Sequence, residues 1–104
     1  MNMLERMLGK RIGSTEFKFI RGFRLKRPIP VTVYWNDNDC CYYVYSPDLN
    51  VFGLDVSMVS RAKADFANNV IERLNMLRLD PTGEVGNNQQ FKKIVPKFFV
   101  GRWE

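Results

Sequence analysis

A chain of 104 residues has room for one hydrophobic core and leaves no space for separate catalytic and regulatory domains. At 45% hydrophobic and 26% charged residues it reads as globular, and the absence of histidine removes Ser-His-Asp and Cys-His catalysis together with every His-containing metal site. The net charge of +5 is unevenly spread: residues 1–30 carry +6, whereas residues 31–60 contain four aspartates and no Lys or Arg, an asymmetry that points to a charged partner or to a solvated basic face.

Met3, Leu4, Met7 and Leu8 recur at helical spacing ahead of Gly9, predicting a short amphipathic helix over residues 2–11. Glu5 and Arg6 interrupt the apolar positions, so neither a signal sequence nor a membrane span is expected. Over residues 16–26, Phe17, Phe19, Phe23 and Leu25 take odd positions while Lys18, Arg24 and Lys26 take even ones. That is the period of a strand, with Gly22 as a bend or bulge. Arg27-Pro28-Ile29-Pro30 follows as extended or turn backbone.

Residues 31–35 and 40–46 are β-rich and flank the turn-forming Asn36-Asp37-Asn38-Asp39, which predicts a hairpin. Cys40 and Cys41 are adjacent, so no disulfide framework or CxxC site is expected, and free thiols point to the cytosol. Residues 51–55 form a shorter strand containing Gly53. Ser57 is the expected N-cap of a long helix with Val59, Ala62, Phe66, Val70, Leu74 and Leu77 on one stripe, and Asp80-Pro81-Thr82-Gly83 ends it. Residues 84–90 read as polar loop and 91–103, around Pro96, as a strand-like tail.

The expected fold is therefore α+β: an antiparallel sheet of three to four strands with one long helix packed on one face. A basic N-terminal arm (residues 1–28) precedes the β-β-β-α unit (29–80), and a loop with a strand-like tail (81–104) completes the same domain.

Tyr42-Tyr43-Val44-Tyr45-Ser46-Pro47-Asp48-Leu49 resembles the hairpin signature of the HicB-like antitoxin family, a Tyr-Tyr-Val followed by Pro-(Asp or Glu)-Leu. The order of parts is similar too, with Val51-Phe52-Gly53 in place of that family's glycine-containing strand and Ala62-Lys63-Ala64-Asp65-Phe66 at its helix start. The resemblance implies a partial RNase H-like β-β-β-α fold over residues 29–79, with residues 1–28 as an extension. It also implies a non-enzymatic, cytoplasmic, self-associating antitoxin that binds and neutralises a small basic HicA-like RNase toxin. Many members of that family bind operator DNA through a C-terminal module, but the chain after Pro81, interrupted by Pro96, does not read as two DNA-reading helices.

Three functional readings follow. For partner binding, the cation-free middle segment offers Trp35, Tyr43, Tyr45, Asp48 and Asp55 to a basic protein; the same tyrosines also suit packing within the domain or against a second copy. For nucleic-acid binding, Lys18, Arg21, Arg24, Lys26 and Arg27 interleave with Phe17, Phe19 and Phe23. An added strand with a basic outer face has the same pattern, and Lys92, Lys93, Lys97 and Arg102 admit the same two readings. For Mg²⁺-dependent cleavage the candidates are Asp37, Asp39, Asp48 and Asp55, but turn chemistry accounts for three of them, so no metal and no cofactor is expected.

Overall fold

The structure, a computed structural model, describes residues 7–103. Strands β1 (Lys10–Phe17), β2 (Ile29–Asn36), β3 (Cys41–Ser46) and β4 (Val51–Asp55) precede helix α1 (Val59–Leu79), a 3-10 turn (Val85–Asn87) and helix α2 (Gln89–Phe98). Each strand pairs antiparallel with the next, giving the sheet order β1-β2-β3-β4. The α+β class and the hairpin are as the sequence predicts; the helix Gln89–Phe98 is not.

Period-two alternation sends Ile29, Val31 and Val33 of β2 and Val44 of β3 into the main core. Ala62, Phe66, Val70, Leu74 and Leu77, the expected stripe of α1, are buried against them. By area, each of the larger side chains contributes about 2 kcal/mol. The helix lies over β4 and β3, and Gly53 allows it to sit that close. A Cβ at Gly53 would collide with the backbone nitrogen of Phe66 and the carbonyl oxygen of Ala62, so backbone meets backbone there.

The same helix closes the free edge of β4. Asp65 Oδ2 accepts the Leu54 N–H at 2.9 Å, and Asn69 Nδ2 donates to the Phe52 carbonyl at 2.8 Å. Two groups that an edge strand leaves open to another strand are thereby satisfied within the chain. On the opposite face of the sheet, Leu8, Tyr34 and Tyr45 form a smaller buried cluster with Tyr43 against it. Asn36, also buried, fixes its entry: Nδ2 donates to the Met7 carbonyl and Oδ1 accepts the Asp39 N–H.

Three sequence expectations are corrected. The strand expected over residues 16–26 lies instead at Lys10–Phe17, with a bulge between Arg11 and Gly13. Phe17 ends it with its ring 4.9 Å from Phe66, after which Ile20 is buried, Phe19 is exposed and a turn bonds Phe23 N–H to the Ile20 carbonyl. The apolar alternation thus came from a turn that dips into the core, while the true edge strand is too polar to show a strand's pattern. It also takes Lys10 and Arg11 out of the N-terminal helix; residues 2–6 of that expectation lie outside the described residues.

The tail is the second correction. Phe91, Ile94, Val95 and Phe98 are spaced i, i+3, i+4, i+7, and they bury one face of a helix, not a strand. Pro96 sits in its last turn, where it removes one hydrogen bond to Lys92, and its own carbonyl accepts Lys26 Nζ at 2.8 Å. Beyond α2 the chain pairs Phe99 with Leu25 and packs Trp103 against Phe23 and Phe99. Arg78 of α1 lies over the Phe23 and Trp103 rings, 4.4 and 5.5 Å from their centroids. The third correction is the helix cap: Met58, not Ser57, holds the N-cap position and makes no side-chain cap bond, while Asp55 accepts the Ser57 and Met58 N–H groups just ahead of the helix.

Gly53→Ala is expected to destabilise the fold by about 3 kcal/mol, since neither β4 nor α1 can yield without losing the Asp65 and Asn69 bonds. Urea unfolding monitored by circular dichroism measures this; a change within about 0.5 kcal/mol contradicts the close packing described.

Candidate functional site

Of the residues the sequence offers for partner binding, Trp35 lies half-buried at the turn end of the hairpin. Its ring is 4.9 Å from Tyr42, and its Nε1–H donates to Asp37 Oδ1 at 2.6 Å. Tyr43 is half-buried on the outer face, its hydroxyl donating to Asp39 Oδ2 at 2.8 Å. The Asp39 carboxylate holds that phenol's pKa far above the ordinary tyrosine value, with partial burial and neighbouring Cys41 adding to the shift. Tyr45 is only 2% exposed and donates to Asn50 Oδ1 at 3.0 Å, so its ring is packing within the domain.

Asp55 is engaged as well. Its Oδ2 accepts the backbone N–H groups of Ser57 and Met58 and the Ser57 hydroxyl, all within 3.0 Å. The backbone bond from Ser57, then that from Met58, holds its pKa below the usual carboxylate value. Asp48 is exposed in the β3–β4 turn. It lies at the opposite end of the sheet from Asp37, Asp39 and Asp55. The four aspartates therefore do not form one acidic strip, and no group of three or more metal-ligating side chains occurs among the described residues.

Sequence reasoning missed the surface that does form beside this hairpin. Phe52, Leu54, Val56 and Met58 alternate along β4 and the segment after it, and they are 40, 41, 69 and 48% exposed. Tyr43 joins them through an edge contact with Phe52, ring centroids 5.7 Å apart. A run of exposed apolar residues at every second position is legible in the sequence as a strand with an unburied face, but the buried Val51 and Gly53 between them drew the reading to the other side.

The basic residues are brought together more than their sequence positions suggest. Lys26 N–H donates to the Phe98 carbonyl, Val100 N–H to the Arg24 carbonyl, and the Arg27 guanidinium lies 5.5 Å from the Phe98 ring centroid. Arg24, Lys26 and Arg27 thus join Lys97 and Arg102 around the C-terminal end of α2. Arg21 is exposed in the preceding turn, and Lys18 makes the only ion pair among the described residues, to Glu16 at 3.9 Å.

No family model, curated protein or solved structure matches the chain. Among the described residues no helix is long and apolar enough to cross a membrane.

Asp80 closes the far end of α1 as Asp55 opens it. It accepts the Thr82 hydroxyl and the Val85 N–H, bonds that likewise lower its pKa. Both carboxylates contribute fully above the unfolded-state value near pH 4, and that contribution is lost as pH falls through their lower folded-state values. The Tm deficit of Asp55→Ala against the parent chain is therefore expected to shrink between pH 6 and pH 3. A deficit unchanged over that range contradicts a stabilising role for the Asp55 bonds.

Proposed function

We propose that this chain is a non-enzymatic, HicB-like antitoxin-type module that binds a small basic RNase and covers its surface. The observation that carries the reading is the face of β3 and β4. It presents Tyr43, Phe52, Leu54, Val56 and Met58 to solvent from a segment, residues 31–60, that contains no Lys or Arg. An apolar patch of this kind suits a protein partner, and the absence of Lys and Arg from residues 31–60 favours a basic one. The β2-β3-β4-α1 order over residues 29–79 agrees with what the HicB-like resemblance implies. Partial RNase H-like architecture, a cytoplasmic setting and self-association belong to the same proposal.

The test is a complex between this chain and a small basic protein encoded in an adjacent reading frame. The expected result is a stable complex that suppresses RNA cleavage and is weakened at least about tenfold, or about 1.4 kcal/mol, by Leu54→Arg. Leu54 is exposed, so the substitution leaves the fold intact. Absence of such a neighbour, or an affinity indifferent to Leu54→Arg, contradicts the proposal.

A second reading, nucleic-acid binding, is favoured by the convergence of residues 24–27 with the end of α2. On that reading Arg24→Ala and Arg102→Ala each weaken RNA binding and reduce its salt dependence, although 78 residues separate them in sequence. Filter binding at several salt concentrations measures this, and binding lost by Arg24→Ala alone confines the site to the arm.

A further inference from the structure

A cleft of about 550 Å³ opens between the β3–β4 turn, α1 and α2. Leu49 and Phe91, 2 and 3% exposed, lie at its floor with the half-buried Ile94 beside them, and Arg73, Lys93 and Lys97 contribute its charge. Lys93 and Lys97 are four residues apart and so share one exposed stripe of α2, next to Gln90 and Ile94, which also line the cleft. Arg73 comes from the other helix. Its guanidinium lies 5.9 Å from the Phe91 ring centroid, and its backbone carbonyl accepts the side-chain amide of Asn88 at 3.3 Å, which ties α1 to the start of α2.

None of the three cations has a carboxylate within ion-pair distance among the described residues; the one such pair is Lys18 with Glu16. Asp48, on the wall formed by the turn, is the single acidic residue lining the cleft. Three positive charges facing one space repel each other, and an anion placed between them relieves that repulsion. The side-chain amides of Asn50 and Gln90 add hydrogen-bond donors on two sides. The volume falls in the range of small-molecule sites and exceeds what a bare oxyanion needs.

We propose that this cleft binds a phosphate monoester carried on a planar or apolar body, with Arg73, Lys93 and Lys97 on the phosphate and Ile94, over the buried Leu49 and Phe91, under the body. Phosphate chemistry of this kind is found on free nucleotides and at the 5′ end of an RNA strand. The site does not depend on the antitoxin reading, because it is built from the β3–β4 turn and the junction of α1 with α2 and shares no residue with the Leu54 face.

Calorimetric titration of the full chain at low salt tests it with four probes: inorganic phosphate, adenosine 5′-monophosphate, and a short oligoribonucleotide with and without a 5′-phosphate. Adenosine monophosphate is expected to bind at least about tenfold more tightly than inorganic phosphate. The double substitution Lys93→Ala/Lys97→Ala should lose at least that factor, Asp48→Asn should tighten binding, and Lys18→Ala, outside the cleft, should change nothing. Preference for the 5′-phosphorylated oligonucleotide over its 5′-hydroxyl form assigns the strand end, and binding of the mononucleotide alone assigns a free nucleotide. Thermal melts confirm that each variant is folded. Mononucleotide binding no tighter than phosphate, or unchanged in the folded double variant, overturns the proposal.

Discussion

The contact between Gly53 and the first turns of α1 sets the rest of the structure. A helix normally stands off a sheet by the depth of the side chains between them, but here the backbone of β4 touches the backbone at Ala62 and Phe66. That approach brings Asp65 and Asn69 within reach of the β4 edge, and it places the Phe66 ring against Phe17 at the end of β1. One position without a side chain thus couples the edge of the sheet, the long helix and the first strand. With the inner face of β4 committed to the helix, the side chains of Phe52 and Leu54 have only the outer face to occupy.

Charge is organised by the same frame. The carboxylates of the middle segment are largely used inside the fold: Asp37 holds Trp35, Asp39 holds Tyr43, and Asp55 starts α1. What the hairpin and β4 offer a partner is therefore shape and apolar area more than free negative charge. The cations are the reverse case. Most lie at the surface without carboxylate partners, and the packing of residues 24–27 on α2, together with Arg73 and Phe91 across the helix junction, gathers them into groups that neither segment holds alone.

Much of this was legible in the sequence. The hairpin, β4 and the full stripe of α1 follow from strong local periodicities that tertiary packing reinforces. The misses have definite causes. β1 is an edge strand whose Gly, Ser and Thr carry little pattern, and the Phe-rich stretch after it alternates because the chain turns there, burying Ile20 and exposing Phe19. In α2, Pro96 and two β-branched residues suggested a strand, whereas the spacing of Phe91, Val95 and Phe98 is helical and the proline sits where only one bond is lost. At the candidate sites, Trp35 and Tyr43 stand at the hairpin as expected, but Tyr45 is interior because Leu8 and Tyr34 cover its part of the outer face, while Tyr43 on the same parity stays half-exposed. The cleft cations lie on two helices, and no local pattern reveals their convergence.

Residue-resolved amide hydrogen exchange on the intact chain tests the central contact most directly. Leu54 is on an edge strand and its side chain is exposed, yet its N–H is held by the Asp65 carboxylate beneath the closely packed helix. Protection of the Leu54 amide comparable with that of the buried turns of α1, and abolished by Asp65→Ala, is the predicted result. Exchange at Leu54 as fast as at the open edge of β1 contradicts the account.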